Sequence, residues 1–245
     1  GQCRHLEFRG WDKRLEECWS RSNFKMKAPS RKSLDLQNHW EEIYKSRDHA
    51  QVSWHQTHPI TSLEWILEHT EPSQAIIDVG SGVSVLMDNL IEAGYSNLSA
   101  VELSKSAVIA TQKRLGSNAS LPRFYVQNIL DFESNQHFDL WHDRAVFHFL
   151  TVESEQKNYI KKLNMCLAKG GYFLLATFAL EGPSSCSSLD VMRFDDMARR
   201  TLLGDDFRLI KTSHEDHTTP NGKMQTFNYF LLQKISLPLN MKAIY

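Results

Sequence analysis

The sequence predicts an α/β fold built on a mostly parallel sheet with helices on both faces. Two observations predict it. Strand-like and helix-like segments alternate through the middle of the chain, and the first strand-like segment, "AIIDVG", is apolar enough to be buried on both faces. With 245 residues, the chain is long enough for one large domain with a real core.

Helices are predicted before the sheet. Residues 33–47 place their apolar side chains near one helix face, and Ser33 is a suitable N-cap. The helical pattern breaks and then resumes over 60–70. We expect residues 33–70 to form a helical lid next to the sheet.

The alternating part of the chain follows. Strands are predicted over 75–80, 98–103, 123–129, 138–143 and 172–180. Helices are predicted between them over 85–95, 104–116 and 152–171, the last with an acidic first turn and a basic last turn that match the helix dipole. Crossovers of this kind give parallel neighbours with helices on both faces.

The C-terminal part of the chain has a different pattern. A helix is predicted over 191–204, and strands over 207–215 and 224–234 are joined through the turn "TPNG" at 219–222. Such a hairpin adds antiparallel pairing to the edge of the sheet.

Composition excludes several classes of protein. The net charge is −1, so no global field indicates binding to nucleic acid, and no apolar run is long enough for a membrane span. Four cysteines, Cys3, Cys18, Cys166 and Cys186, are scattered without metal-ligand spacing, so no metal site is predicted. Isolated thiols suit a reducing, cytoplasmic setting.

The N-terminal region differs from the rest. Residues 1–32 are richer in Lys and Arg than in Asp and Glu, and we expect a loosely ordered basic extension. A mitochondrial leader is the alternative, although Glu7 and Asp12 argue against a clean one. Residues 33–245 are predicted to form a single domain.

The loop after the first strand, "DVGSGVS", indicates a ligand site. Gly80 and Gly82 permit close backbone approach at the carboxyl end of a strand, and Glu102 ends the next strand, where an acid can accept ribose hydroxyls. Ser84 replaces the third glycine of the dinucleotide fingerprint. Asp78 disfavours the pyrophosphate of NAD and suits a ligand with an ammonium or sulfonium, namely S-adenosylmethionine. A plain strand-to-helix turn is the structural alternative.

Several segments in order carry a resemblance to a family. "IIDVGSG", "VELS" and "LAKGGYFLLATF" resemble motifs of class I S-adenosylmethionine-dependent methyltransferases, and the resemblance covers residues 36–234. "HWEEIY", "VSWHQ", "WHDRAVFHFLT", "ATFALEGPSSCSSL" and "HTTPNGKMQTFNY" resemble a narrower group of small bacterial methyltransferases. The resemblance implies a Rossmann-like sheet of seven strands in the order 3-2-1-4-5-7-6, with the seventh strand antiparallel.

The resemblance also implies roles around the methyl donor. Asp78 and the backbone of Gly80 and Gly82 would face its methionine part. Glu102 would hold the ribose hydroxyls, and Leu103 would lie beside the adenine.

The adenine would be flanked by Asn128 and Ile129. The family usually has Asp where this chain has Asn128. Its side-chain oxygen can still accept a hydrogen bond from the adenine amino group, so we expect weaker rather than lost recognition.

The stretch "WHDRAVFHF" is predicted to form the rim of the pocket. His142 and Asp143 would meet the methionine end, and Arg144 would pair with Asp143 or with a carboxylate of the acceptor. His148 is the candidate general base, with a pocket-wall histidine as the alternative. His142 and His148 lack the i, i+4 spacing of a helical metal pair, so a metal site is disfavoured. The predicted catalytic residues are therefore His148, Asp143 and Arg144.

The lid is expected to contribute aromatic side chains. Trp40 and Trp54 are predicted beside the cofactor, where an aromatic face attracts a sulfonium, and Tyr44 and Gln56 lie in the same region. Packing of these aromatics on the core is the alternative. Further candidates for the acceptor pocket follow the fifth strand and the C-terminal turn: Cys186, His217, Thr219 and Gln225.

The predicted function is methyl transfer by in-line displacement to a small molecule through N, O or S. Alternatives are a protein (lysine) methyltransferase and a non-catalytic binding module of the same fold. "HDRAVF" departs from the Asn/Asp-Pro-Pro-Tyr motif of amide and adenine methylation, and this departure argues against those acceptors. The intact Asp78–Glu102 pattern favours an enzyme, and the sequence predicts no oligomeric state.

Overall fold

The computed structural model describes residues 31–46 and 52–235. The predicted basic extension, apart from its last residues, lies outside the described residues, as do Cys3 and Cys18. All statements below refer to the described parts of the chain.

A seven-stranded sheet forms the centre, in the order β3-β2-β1-β4-β5-β9-β8. Its strands are β1 (Ile76–Val79), β2 (Leu98–Glu102), β3 (Arg123–Val126), β4 (Phe138–Arg144), β5 (Leu167–Phe178), β8 (Phe207–Thr218) and β9 (Met224–Lys234). β1 pairs in parallel with β2 and β4, and β9 is antiparallel to both of its neighbours. Counting only these strands along the chain gives the predicted order, with the seventh strand antiparallel, so the fold prediction is confirmed.

A two-stranded hairpin lies outside this sheet and was not predicted. It consists of β6 (Ser185–Cys186) and β7 (Leu189–Asp190). Its turn places Ser187 and Ser188 at φ values of 50° and 64°, a left-handed conformation that the sequence does not mark with Gly or Asn.

Helices cover the sheet. They are α1 (Arg31–Ser46), α2 (Ile60–His69), α3 (Leu86–Glu92), α4 (Lys105–Leu115), α5 (Glu153–Cys166) and α6 (Asp196–Leu203). α5 and α6 pack on one face of the sheet, and α2 and α3 pack on the other. Within the buried β1 strand, Ile77 joins the first core cluster and Ile76 joins the second.

Some predicted boundaries are wrong. α1 begins at Arg31, so Ser33 lies inside the helix instead of capping it, and its hydroxyl accepts a hydrogen bond from Asn128. α5 ends at Cys166, and Lys169 belongs to β5, so the last turn of the helix contains no basic residue. The β-strand begins early because Leu167 already pairs with Phe138 of β4.

Neither a membrane span nor a metal cluster is found in the described ranges. No helix there is long and apolar enough to cross a bilayer. No group of three or more His, Cys, Asp or Glu side chains there is arranged to hold a metal ion.

Candidate active site

A crevice opens at the carboxyl ends of β1 and β4. The chain runs outward from β1 to β2 and β3 and then crosses back to β4 on the other side of β1, and open α/β sheets bind ligands at such a reversal of strand order. The crevice has a volume of about 510 Å³ including its mouth. Its walls include Trp54, Ser62, Asp78, Gly80, His142 and Arg144.

The glycine loop after β1 forms the floor of the crevice. Gly80 and Gly82 have φ values of 66° and 50°, which L-residues rarely adopt. A Cβ atom at Gly80 would overlap the side chain of Val146, and one at Gly82 would overlap the hydroxyl of Tyr44. Both positions therefore require glycine for conformation and for space, as the sequence predicted.

Asp78 lies in a buried hydrogen-bonded chain. Its Oδ1 is 2.6 Å from Nδ1 of His142, and Nε2 of His142 is 2.9 Å from the hydroxyl of Ser62. Oδ2 of Asp78 is buried and has no hydrogen-bond partner among the described residues. A bare carboxylate oxygen in a crevice suits a cationic ligand group, because burying an unpaired charge is otherwise costly. His142 thus lines the crevice and fixes the orientation of Asp78, and its predicted place at the methionine end of the cofactor stays a prediction.

Glu102 joins the glycine loop to the next helix. Its two carboxylate oxygens accept hydrogen bonds from the backbone N–H groups of Gly82 and Ser104, both at 2.8 Å. Burial raises the pKa of Glu102 to about 7, although these backbone hydrogen bonds act in the opposite direction. Each oxygen keeps a further lone pair, so the side chain can still accept hydroxyl donors.

The residues predicted to surround the adenine follow β2 and β3. Leu103 and Asn128 are half-buried, and Ile129 is buried. The side-chain oxygen of Asn128 accepts a hydrogen bond from the backbone N–H of Leu130 and caps a short 3₁₀ turn. One lone pair of that oxygen remains, so the adenine role of Asn128 stays a prediction.

Asp143 holds the turn after β4 and does not line the crevice. Its carboxylate accepts hydrogen bonds from the backbone of Val146 and Phe147 and from the hydroxyl of Tyr159. Ala145, inside this turn, has a φ of 72°. Burial raises the pKa of Asp143 to about 6, against the lowering effect of these donors. The geometry thus favours a structural role over the predicted catalytic one.

Arg144 lies in the wall of the crevice. Nε donates to the hydroxyl of Tyr229 at 3.0 Å, and Nη1 donates to the backbone oxygen of Trp54 at 3.1 Å. Nη2 is buried and has no hydrogen-bond partner in the described ranges. The salt bridge predicted between Arg144 and Asp143 is absent, because Asp143 is already engaged by the turn. The alternative partner, an acceptor carboxylate, stays a prediction.

His148 is fully buried in the short 3₁₀ turn that follows β4. Its ring packs against Phe178 and Phe149, with centroids 4.6 Å and 4.5 Å away, and neither ring nitrogen has a hydrogen-bond partner among the described residues. Burial, with a contribution from Arg144, lowers the pKa of His148 to about 3. An enclosed imidazole with so little affinity for a proton resembles the pocket-wall alternative more closely than a general base.

The aromatic residues of the lid gather beside the glycine loop. Trp40 lies edge-on to Trp54 and to Phe149, with ring centroids 5.6 Å and 5.3 Å away, and Tyr44 is 6.1 Å from Trp54. Trp54 lines the crevice, and the other aromatic residues pack around it. Trp54 thus lines the crevice and Trp40 packs beside it, and the predicted contact of both with the cofactor stays a prediction.

Glu41 anchors α1, a role that was not predicted from the sequence. Its carboxylate accepts hydrogen bonds from the hydroxyl groups of Ser104 and Ser106 at the start of α4. Although burial raises the pKa of Glu41, the hydrogen bonds from both serines outweigh it and lower the pKa to about 2. Ser62 and Tyr159 were missed as well, because their partners lie elsewhere in the chain and no local pattern marks them.

The remaining candidates lie near the C-terminal hairpin or β6. His217 is buried and bonds the backbone oxygen of Ser53 at 2.8 Å, and burial lowers its pKa. Thr219 bonds within the hairpin turn, and Oε1 of Gln225 is buried without a hydrogen-bond partner in the described part of the chain. Cys186 is buried in β6.

Comparison with known proteins agrees with this geometry. Residues 77–173 match a family described as "Methyltransferase domain", and the matched stretch contains Asp78, Glu102 and His142. Among characterised relatives, human EEF1A lysine methyltransferase 2 is 23% identical over 164 residues, which cover 59% of this chain and 68% of the relative.

Solved structures share the fold. The 1,6-didemethyltoxoflavin-N1-methyltransferase of Burkholderia thailandensis has a TM-score of 0.64 at 15% identity, covering 86% of this chain and 93% of its own. Magnesium protoporphyrin IX methyltransferase from Synechocystis PCC 6803 has a TM-score of 0.60 at 14% identity, and the match covers 85% of this chain and 99% of that structure's chain. Residues 77–173 therefore match a methyltransferase domain, and the chain shares the fold of these solved methyltransferases.

Proposed function

We propose that this enzyme methylates a small-molecule acceptor in the crevice at the ends of β1 and β4. One observation carries the proposal: the crevice is lined by both Asp78 and Arg144, and each presents a buried polar atom with no hydrogen-bond partner among the described residues. Asp78 suits the cationic methyl donor, and Arg144 suits the acceptor.

The residues present fit S-adenosylmethionine. Oδ2 of Asp78 would hold the α-ammonium, the glycine loop would admit the methionine part, and Glu102 would accept the ribose hydroxyls. Leu103, Asn128 and Ile129 would lie around the adenine. When bound, the cofactor supplies a methyl group on a positively charged sulfur, which is a good leaving group.

The protein's own contribution is positioning and exclusion of water. His142 holds Asp78 in one orientation, and Asp143 holds the turn that presents Arg144. Trp54 closes the crevice beside the expected sulfonium. Alignment of acceptor, methyl and sulfur can supply several kcal/mol, up to about 7–11 in ideal systems. Because His148 is enclosed and neutral, we expect the acceptor to arrive with its lone pair already free.

The proposal is tested by incubating the full chain and an extract with tritiated-methyl S-adenosylmethionine. The extract is then separated into protein and small-molecule fractions. We expect label in the small-molecule fraction, and its loss in Asp78→Asn. Label confined to protein bands would contradict the proposal.

A second candidate is methylation of a protein lysine. The observation that favours it is the similarity to EEF1A lysine methyltransferase 2 of human and mouse, at 23% and 21% identity. Against it, the Arg144 guanidinium in the crevice wall would repel a lysine ammonium. Label on a single protein band that is lost on lysine acetylation of the extract would favour this candidate.

The location and the lid also remain proposals. A cytoplasmic setting is supported by the buried free thiol of Cys166. Residues 33–70 are proposed to act as a lid, supported by the packing of Trp40 and Tyr44 of α1 against Trp54.

A further inference from the structure

We propose that the acceptor carries a carboxylate and that Arg144 binds it through its free Nη2 edge, making this arginine the specificity-determining residue. The inference rests on the proposed function and deepens it, since it names the chemical class of the acceptor.

The guanidinium of Arg144 is held in place by neutral groups. Tyr229 and Trp54 accept from Nε and Nη1, and the guanidinium carbon lies 4.5 Å from the ring centroid of Phe227. These contacts fix the plane of the group and leave Nη2 without a hydrogen-bond partner in residues 31–46 and 52–235. A planar donor fixed in this way matches the geometry of a carboxylate.

The charge of Arg144 is not neutralised by a carboxylate of the described chain. Glu215 belongs to the same hydrogen-bond network, but it is linked to Arg144 through the hydroxyl of Tyr229, which donates to Glu215 at 3.3 Å. Gln56 and Thr61 also donate to Glu215, at 2.9 Å and 2.7 Å. Because a partly buried cation without an anionic partner is costly, a site of this kind is best explained by an anionic ligand.

The surroundings keep the site positive. Burial lowers the pKa of His148 and of His217, and the nearby charge of Arg144 lowers both further. Neither histidine supplies a negative charge that could offset Arg144. Trp54 and Pro59 give the same crevice an apolar wall, which suits the hydrocarbon part of a small acid. A cationic acceptor would meet repulsion from Arg144, because the unpartnered carboxylate oxygen of Asp78 in this crevice is assigned to the methyl donor.

Calorimetric titrations test the inference on the full chain saturated with S-adenosylhomocysteine. The probes are benzoate, benzamide and benzylamine, which share one ring and differ in charge. We expect benzoate to bind at least about tenfold more tightly than either other probe, a factor that corresponds to about 1.4 kcal/mol. Equal affinities, or tighter binding of benzylamine, would overturn the inference, whatever the behaviour of any variant.

Variants locate the effect. Arg144→Gln should abolish the preference for benzoate, whereas the control Arg208→Gln, on the exposed side of β8, should keep it. Titration with S-adenosylhomocysteine checks that each variant is folded, and Arg144→Lys provides a charged second variant that should retain part of the preference. A preference that survives in Arg144→Gln would contradict the inference.

The two proposals fail in different ways. If the wild-type chain did not bind S-adenosylhomocysteine, the proposed function would fail. If it bound S-adenosylhomocysteine but did not distinguish benzoate from benzamide, only the carboxylate inference would fail.

Discussion

The two halves of the crevice are built differently. On the β1–β2 side, contacts join segments close in the chain: the backbone of Gly82 bonds Glu102, and Ser104 caps the helix that follows. On the β4–β9 side, contacts join segments far apart: Arg144 bonds Trp54, and His217 bonds Ser53. The contacts between the glycine loop and Glu102 therefore form within the β1–β2 unit, whereas the contacts of Arg144 and His217 form only when distant segments of the chain come together.

The halves also differ in how their polar atoms are satisfied. Both oxygens of Glu102 accept backbone hydrogen bonds, whereas Arg144, His148 and Gln225 each keep buried polar atoms without hydrogen-bond partners among the described residues. Asp78, at the border, has one satisfied and one free oxygen. Under the proposed function, the backbone would preorganise the half that holds the cofactor, and a ligand would complete the half that holds the acceptor.

The largest effect is expected from Asp78→Asn. The change removes the charge that is proposed to face the cofactor ammonium and keeps the shape of the side chain. Since a hydrogen bond to a charged group contributes about 1.5–3 kcal/mol, affinity for S-adenosylmethionine should fall by about 10- to 100-fold. Isothermal titration calorimetry measures it.

The matched control is Asp88→Asn, at a partly exposed acid paired with Arg114. It should bind S-adenosylmethionine as the wild type does. Equal affinities of Asp78→Asn and the control would show that the cofactor half does not depend on the free oxygen of Asp78.

Glu102→Gln should give the second-largest effect, a loss of about tenfold in affinity for S-adenosylmethionine. The reason is that the backbone N–H of Gly82 or of Ser104 would then face an amide NH₂ instead of a carboxylate oxygen. The pH dependence sharpens the prediction. With its pKa raised to about 7 in the free protein, Glu102 is partly protonated at neutral pH. Hydroxyl donors favour its ionised form, so wild-type affinity should rise with pH through neutrality and then level off.

Titrations between about pH 6 and pH 8 test this dependence. Glu102→Gln should show a flatter profile than the wild type. A flat wild-type profile, or a variant with the same slope, would mean that Glu102 does not meet the ribose.

His148→Phe separates a wall from a base. Phenylalanine keeps the ring packing and removes ring nitrogens that have no partner among the described residues, each of which costs about 1–3 kcal/mol when buried. The folded-state pKa of about 3 lies below the ordinary value of 6.5, so wild-type stability falls as pH drops below 6.5. The stability advantage of His148→Phe should therefore grow from about pH 7 to pH 5.

Thermal unfolding at both pH values measures the advantage, and tritium transfer measures turnover. A variant that is stable and binds the cofactor but has lost most of its turnover would restore His148 as the catalytic base.

The smallest effect is expected from Glu41→Gln, which weakens the anchor of α1. Because the folded-state pKa of Glu41 is lowered to about 2, its contribution is present above the ordinary value of 4.5 and is lost as pH falls toward 2. We expect a loss of about 1 kcal/mol at neutral pH, or about 2–4 °C in Tm. Glu42→Gln, at an exposed neighbour, is the control.

Thermal melts of both variants at neutral pH measure the anchor. An equal Tm for Glu41→Gln and Glu42→Gln would show that the contacts with Ser104 and Ser106 do not stabilise the lid.

Most of the fold was predictable because it follows from local patterns. The alternation of elements, the buried β1 strand and the turn before β9 each leave a mark within a short window. The boundary at Cys166 was not predictable, since pairing of Leu167 with Phe138 overrode the helical pattern there. The hairpin at Ser187 and Ser188 was not predictable either, because its left-handed backbone conformation is not accompanied by Gly or Asn.

The site divides in the same way. Asp78, Gly80, Gly82 and Glu102 were identified because their spacing and residue types answer a local requirement. The partners of Asp143 and Arg144 could not be identified, because Tyr159, Tyr229 and Trp54 reach them only through the folded chain.

The most direct test of the account is a crystal structure of the chain with S-adenosylhomocysteine. The account predicts the α-ammonium within hydrogen-bond distance of Oδ2 of Asp78 and the ribose hydroxyls against Glu102. A ligand bound away from the β1–β4 crevice, or one in the crevice with its ammonium directed away from Asp78, would contradict it.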